Sequence, residues 1–394
     1  MMLFLLDRGI DIFLAGTMIA LYSGTVIILE LPTGGLSDSI GRKKVYLISQ
    51  TVYAIALVAL LIDLDIYSIV IGMLLLGTAR ALSSGSIDAW FVDELRSQGR
   101  GKDLQEALAK ANIIVPMGIA AGSLVGGLIP MYLGAYGRDE LGLGIYDMNI
   151  VVMLIAVALQ IIVTQILVVE HRHKIDGEVV EGAKNLPDIL STSLEYGVRN
   201  RTVLMLLIAT AALGFSLMAI ETYWQPRLAG IVGEGSDTWI FGALAAAYFV
   251  AGAAGNLVSI PVCSRAKQRY APVLLVVRLL MASSVILLAF QDTLVGFASL
   301  FLVSFMMNGM ESSPFSTIYN NEVPSERRST LLSFQSLILQ IGGLIGTFTL
   351  GYVAKEWSIG AAWTVAGAVL FISSLAYLVI AVRKDRPGND KIPS

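Results

Sequence analysis

Apolar runs of near-uniform length recur along the whole chain, separated by short polar breaks. The runs are continuous, not alternating, which predicts helices and not strands. About 20 apolar residues are needed to cross a hydrocarbon core of about 30 Å. Lipid cannot satisfy backbone polar groups, so each run must close its hydrogen bonds within itself. The pattern predicts eleven spans, at 11–36, 45–63, 66–92, 105–132, 147–170, 202–225, 238–262, 271–291, 293–319, 328–352 and 358–382. Ahead of them, "MMLFLLDRG" reads as the outer end of another helix. It would rise only about 14 Å, so the expectation is a first helix that begins upstream of Met1. No basic region precedes the apolar run, which argues against a signal peptide.

The longest internal polar stretch is 171–201. It divides an N-terminal transmembrane bundle (1–170) from a C-terminal bundle with a short tail (202–394). Leu186, Ile189, Leu190, Leu194 and Val198 recur in it at helical spacing. That predicts an amphipathic helix on the membrane surface. His171 and His173 read as solvated linker residues.

Composition agrees with a membrane protein: 56% of residues are hydrophobic and 14% charged, against about 25% charged in soluble domains. The distribution of charge sets the direction. Of the 27 basic residues, 21 fall on the side of the Arg42–Lys44 loop, 4 on the other side and 2 inside spans. Positive charge stays cytosolic, so the C-terminus is expected in the cytosol. Cys263 is the only cysteine, which excludes an internal disulfide and a cysteine metal cluster. The sequence has no P-loop, no HExxH and no GxSxG. An enzyme is therefore not expected, nor a cofactor, metal or nucleic-acid partner. Work done by this chain must draw on a gradient, with protons the expected ion.

The halves echo each other at an offset of 224. Gly85 lies over Gly309, Gly118 over Gly342, Gly122 over Gly346 and Gly127 over Gly351. Two pseudo-symmetric bundles of six helices are the simplest explanation, and such repeats mark secondary transporters.

"GGLSDSIGRKK" resembles motif A of the major facilitator superfamily, in the loop where that family carries it. Gly35, Leu36, Asp38, Gly41, Arg42 and Lys43 match, with Gly34 preceding them. The resemblance implies the major facilitator fold and a cytosolic gate latched by this cluster. The glycines permit close helix approach. Asp38 could cap a helix or pair with Arg96 or Arg100. A second stretch, Gly118, Gly122, Ser123, Gly126 and Gly127, resembles the antiporter motif C. Ser123 stands at the usual proline position, and Pro116 precedes the stretch. Arg80 resembles the motif B arginine, which the family links to proton coupling. "SSGSIDAW", "YWQP" and "NEVPSERRSTLLS" resemble a bacterial drug-efflux branch.

Charges inside spans cost at least ~2.5–3.5 kcal/mol, so each needs a partner or a wet cavity. The candidates are Glu30, Arg80, Asp88, Glu221, Arg278 and Glu311. Glu30, followed by the turn "LPTG", is either a proton or gate-coupling group or a structural partner. Asp88 and Glu311 are repeat-related in depth and join Arg80 as proton-coupling candidates. Glu221, Trp224 and Gln225 share a helical face, a combination suited to an amphipathic organic cation. Arg278 is expected to snorkel toward the cytosol.

The leading expectation is proton-driven efflux of a small amphipathic compound by a monomeric antiporter in the cell membrane, with alternating access. The alternatives are a proton-coupled uptake symporter and a non-transporting sensor or scaffold.

Overall fold

The computed structural model describes residues 1–62, 65–84, 86–99, 104–170, 199–233, 238–323 and 328–384. These residues form thirteen helices and, among the described residues, no strand. They are α1 (Met2–Asp7), α2 (Ile12–Ile40), α3 (Arg42–Leu61), α4 (Ile66–Ser83), α5 (Ser86–Ser97), α6 (Leu104–Leu141) and α7 (Asp147–Leu167). Then come α8 (Arg201–Val232), α9 (Trp239–Arg265), α10 (Tyr270–Leu288), α11 (Leu294–Glu322), α12 (Arg328–Glu356) and α13 (Ile359–Lys384). Eleven are long and apolar enough to cross a membrane, and α1 and α5 are the two that are not.

Several helices start on side-chain caps, which satisfy N–H groups that have no partner within the helix. Asp11 accepts from Phe13 N at 3.0 Å and Leu14 N at 3.2 Å. Asn200 accepts from Thr202 N at 3.0 Å and Val203 N at 3.2 Å.

Besides α6, which runs on to Leu141, three elements differ from the sequence expectation. The span expected at 66–92 is broken into α4 and α5 at Ser84. Ser84 is extended (ψ 122°), and the local run Ser83–Ser86 is rich in residues that compete for backbone hydrogen bonds. Ser86 Oγ donates to Ser83 O at 3.0 Å across the break. Second, the "LPTG" after Glu30 is not a turn: α2 runs unbroken to Ile40 and the chain turns only at Gly41. Third, α8 continues past Pro226 to Val232. Proline is tolerated in a membrane helix when surrounding groups meet the freed carbonyl.

Two compact units are present. The first comprises Met1–Pro187 with Asp237–Ala243, the second Asp188–Ser236 with Leu244–Ser394. Most of the expected linker, with its surface helix and both histidines, lies outside the described residues.

In the first unit α4 packs on α2 and α3, and α7 packs on α3 and α6. Gly77 lets α4 approach α2 at Tyr22 and Thr25. α1 is pinned to the start of α7: Arg8 Nη2 donates to both Asp147 carboxylate oxygens at 3.1 Å. Burial and the nearby Asp147 push the Asp7 carboxyl above its usual range. In the second unit α10 packs on α11 and α13, and α12 packs on α8 and α13. The pairs α3–α4, α3–α7 and α6–α7 thus recur as α10–α11, α10–α13 and α12–α13, as the 224-residue repeat requires.

Candidate functional site

Gly41 is where the motif A stretch acquires its shape. Its φ of 104° lies in the region that favours glycine, and a Cβ there would meet Glu170 Oε2 at 2.8 Å. The missing side chain is what lets the Glu170 carboxylate reach the start of α3, where Arg42 N donates to Oε1 at 2.5 Å. A carboxylate at a helix N-terminus is stabilised by free N–H groups and by the helix dipole. Arg42 also pairs through its guanidinium with Asp93 of α5. Lys43 Nζ donates to Gln165 O at 2.9 Å, and Trp90 Nε1 donates to Val169 O at 2.9 Å. The turn therefore ties α3, α5 and the end of α7 together. The side chain of Asp38, and those of Arg96 and Arg100, lie outside the described residues. Gly34 and Gly35 are described only as part of the α2 backbone.

Glu30 touches the break between α4 and α5. Ser84 Oγ donates to Glu30 Oε1 at 2.9 Å, and three residues on Thr33 Oγ1 donates to Ala81 O at 3.0 Å. Arg80 is exposed on α4. The Asp88 side chain and Gly85 fall outside the described residues.

The antiporter-like stretch on α6 behaves unevenly. A Cβ at Gly118, Gly122 or Gly126 would meet nothing within 4 Å among the described residues. Gly127 differs: Gly242, in the same unit, approaches it backbone to backbone. Thr238 Oγ1 donates to Gly127 O at 2.7 Å. Ser123 Oγ donates to Ile119 O of its own helix at 2.8 Å.

Glu311 lies in the interior of the second unit, 2% exposed, and Arg278 beside it is 0% exposed. Arg278 does not snorkel. Its Nε donates to Glu311 Oε2 at 2.9 Å, and its Nη2 pairs with the other carboxylate oxygen. Nη1 donates to Ala209 O at 3.1 Å and to Ser373 Oγ at 3.0 Å. Tyr377 Oη donates to Glu311 Oε1 at 2.7 Å. The bidentate fork and its supporting bonds compensate a charge that would otherwise be prohibitive at this depth. Length alone would have let Arg278 reach water; the matching acid on α11 holds it inside.

Glu221 is surrounded differently. It sits on α8, exposed, and accepts from Tyr248 Oη of α9 at 3.3 Å. Tyr248 is wedged among rings: Phe305 lies 4.2 Å away edge-on, Phe249 4.3 Å and Phe301 6.3 Å between centroids. Trp224, one turn beyond Glu221, is buried with its ring 5.3 Å from Phe301. Gln225 is half-buried beside it. Phe297, Phe301 and Phe305 form a ladder on one face of α11, at the four-residue spacing of a helical stripe.

Sequence reasoning missed Tyr248, the phenylalanine ladder, Glu170 and Asp93. The ladder was readable as "FASLFLVSF" at four-residue intervals. The other three owe their place to contacts with residues distant in sequence.

Residues 1–347 match the family described as Major Facilitator Superfamily. The crystal structure of nucleoside transporter NupG, in a mutant form, aligns with a TM-score of 0.74 and 15% identity, over 95% of this chain and 92% of that one. A second crystal structure of NupG aligns with a TM-score of 0.70 and 16% identity, over 93% of this chain and 90% of that one. At such identities the likeness is one of fold. None of the curated proteins compared with this sequence matches it. Helix content, spans, repeat and family match agree: this chain is a multi-pass membrane transporter, not an enzyme, and belongs to the major facilitator superfamily.

Proposed function

We propose that this protein takes up a small organic solute together with protons across the cell membrane. Support for that direction comes from the antiporter-like stretch. The resemblance to motif C implied export, yet three of its glycines, Gly118, Gly122 and Gly126, adjoin no neighbouring atoms within 4 Å among the described residues. Among the described residues the stretch is engaged at Gly127. NupG, named a nucleoside transporter, shares the fold, which makes nucleosides one class of solute to try.

In this reading the turn at Gly41, Arg42 and Lys43 latches the cytosolic gate, with Glu170 and Asp93 as its carboxylate partners and Gly34, Gly35 and Asp38 leading into it. The excess of basic residues on one side supports a cytosolic C-terminus. Glu30, Arg80 and Asp88 are the proton-coupling candidates of the first unit. Glu311, fixed by Arg278, serves better as a structural anchor than as a carrier. Protons supply the energy and no cofactor is needed.

A second reading, drug efflux by proton antiport, draws on the contact between Gly127 and Gly242. Reconstituted liposomes separate the two. With a panel of labelled solutes that includes nucleosides, uptake that acidifies the lumen supports symport. Uptake that makes the lumen alkaline would turn the assignment to antiport, and no proton movement with any transported solute would end both.

A further inference from the structure

We propose that Glu221 and Tyr248 form the recognition point for an organic cation, an ammonium-type head carried on an apolar or aromatic body. The proposal deepens the transport reading and rests on it for biological meaning, but it can be tested by binding alone.

Two features of the site argue for a ligand. A carboxylate in a membrane helix needs a partner or water. Glu311 has a guanidinium partner within hydrogen-bond reach; Glu221 has a phenol at 3.3 Å, which donates one hydrogen bond and brings no positive charge. Among the described residues no Lys or Arg forms an ion pair with it. Tyr248 is the one hydrogen-bond partner of the carboxylate among the described residues, and it engages one of the two oxygens. The second feature is the wall behind it. Tyr248 is half-buried, its ring fixed edge-on by Phe305 and flanked by Phe249 and Phe301. Trp224, its ring 5.3 Å from that of Phe301, closes the same cluster.

The chemistry follows from these two parts. An aromatic face attracts a cation through its quadrupole, and the attraction grows as water is excluded. A carboxylate adjacent to that face adds a full charge. Together they favour a positively charged, weakly hydrated head over a neutral one of the same shape. A neutral sugar or base would find few neutral donors and acceptors here, because the flanking positions are phenylalanines. The residues come from α8, α9 and α11, and fixed rings on three helices give the head a preorganised seat.

The experiment uses the full chain in lipid nanodiscs and displacement of labelled tetraphenylphosphonium. Two competitors of similar shape are compared: benzyltrimethylammonium and the neutral alcohol 2-methyl-1-phenylpropan-2-ol. The wild-type protein is expected to prefer the cation by about tenfold or more. Glu221→Gln should bring the ratio near unity, while Glu221→Asp keeps a clear preference. Tyr248→Phe, which retains the ring, should keep part of it, and Tyr248→Ala should lose more. Absence of tetraphenylphosphonium binding, equal displacement by both competitors, or a preference that survives Glu221→Gln would overturn the proposal. Cation preference without proton-coupled uptake would leave this site standing and remove the transport direction instead.

Discussion

Glu311 and Glu221 lie in the same unit, on helices that both contribute to the second half of the chain, and face opposite circumstances. Glu311 is 2% exposed and is gripped by Arg278 and Tyr377. Glu221 is exposed and holds one phenol at 3.3 Å. A charge in a membrane helix is stabilised by a fixed counter-charge or by access to water. The first solution is permanent, since breaking it strands an ion in the interior. Glu221 has no such fixed counter-charge among the described residues, only the phenol of Tyr248. Depth in the membrane alone therefore does not mark a functional carboxylate; its surroundings do.

The largest expected effect tests the fixed member. Arg278→Ala or Glu311→Ala strands one charge of a buried pair, a loss of about 3–5 kcal/mol. The thermal unfolding temperature in detergent should fall steeply, and the peak of folded protein should shrink on size exclusion. The double replacement Arg278→Met with Glu311→Leu should recover most of it, because well-packed apolar residues often replace a buried pair without loss. A pair of single variants that melt like the wild type would erase the contrast.

The glycines offer the same contrast in packing. A side chain at Gly346 would run into the backbone at Phe215, and one at Gly342 into that at Ala211. Their repeat mates Gly122 and Gly118 meet nothing within 4 Å among the described residues. Gly346→Leu should cost about 1–3 kcal/mol by overpacking, while Gly122→Leu should stay within about 0.5 kcal/mol. Melting curves of the two variants, side by side, check the difference.

Smaller still is the effect at the turn before α3. Glu170→Gln keeps the shape and removes the charge at the start of α3, worth about 0.3–1 kcal/mol. Its signature should be faster loss of amide-exchange protection at Val45 and Tyr46 than elsewhere in α3. Uniform exchange along α3 would show that Glu170 holds nothing there.

What the sequence made legible follows from the range of the forces involved. The spans were readable because burying about 20 apolar residues in lipid is a local, additive requirement. Motif A was readable as a contiguous string. The break at Ser84 was not, because a Gly-Ser run inside an apolar stretch can stay helical when neighbours satisfy its backbone. The run-on of α8 through Pro226 is the same ambiguity in reverse. Site pairings were the least legible. Arg278 and Glu311 are 33 residues apart, Glu221 and Tyr248 27, and Arg42 and Glu170 128. No local pattern selects those partners from the other charged and hydroxyl groups. Glu221 with Trp224 stood out because both sit within one turn; that Tyr248 completes the cluster is a product of tertiary packing.

The most direct measurement is chemical access at position 221. Glu221→Cys, made with Cys263→Ser, is treated in membranes with a water-soluble, membrane-impermeant methanethiosulfonate. A thiolate in contact with water reacts, while a thiol facing lipid or sealed in protein does not. The account predicts ready labelling from one side of the membrane, slowed by tetraphenylphosphonium. A thiol at 221 that resists the reagent from both sides, in a protein that still folds, would contradict it.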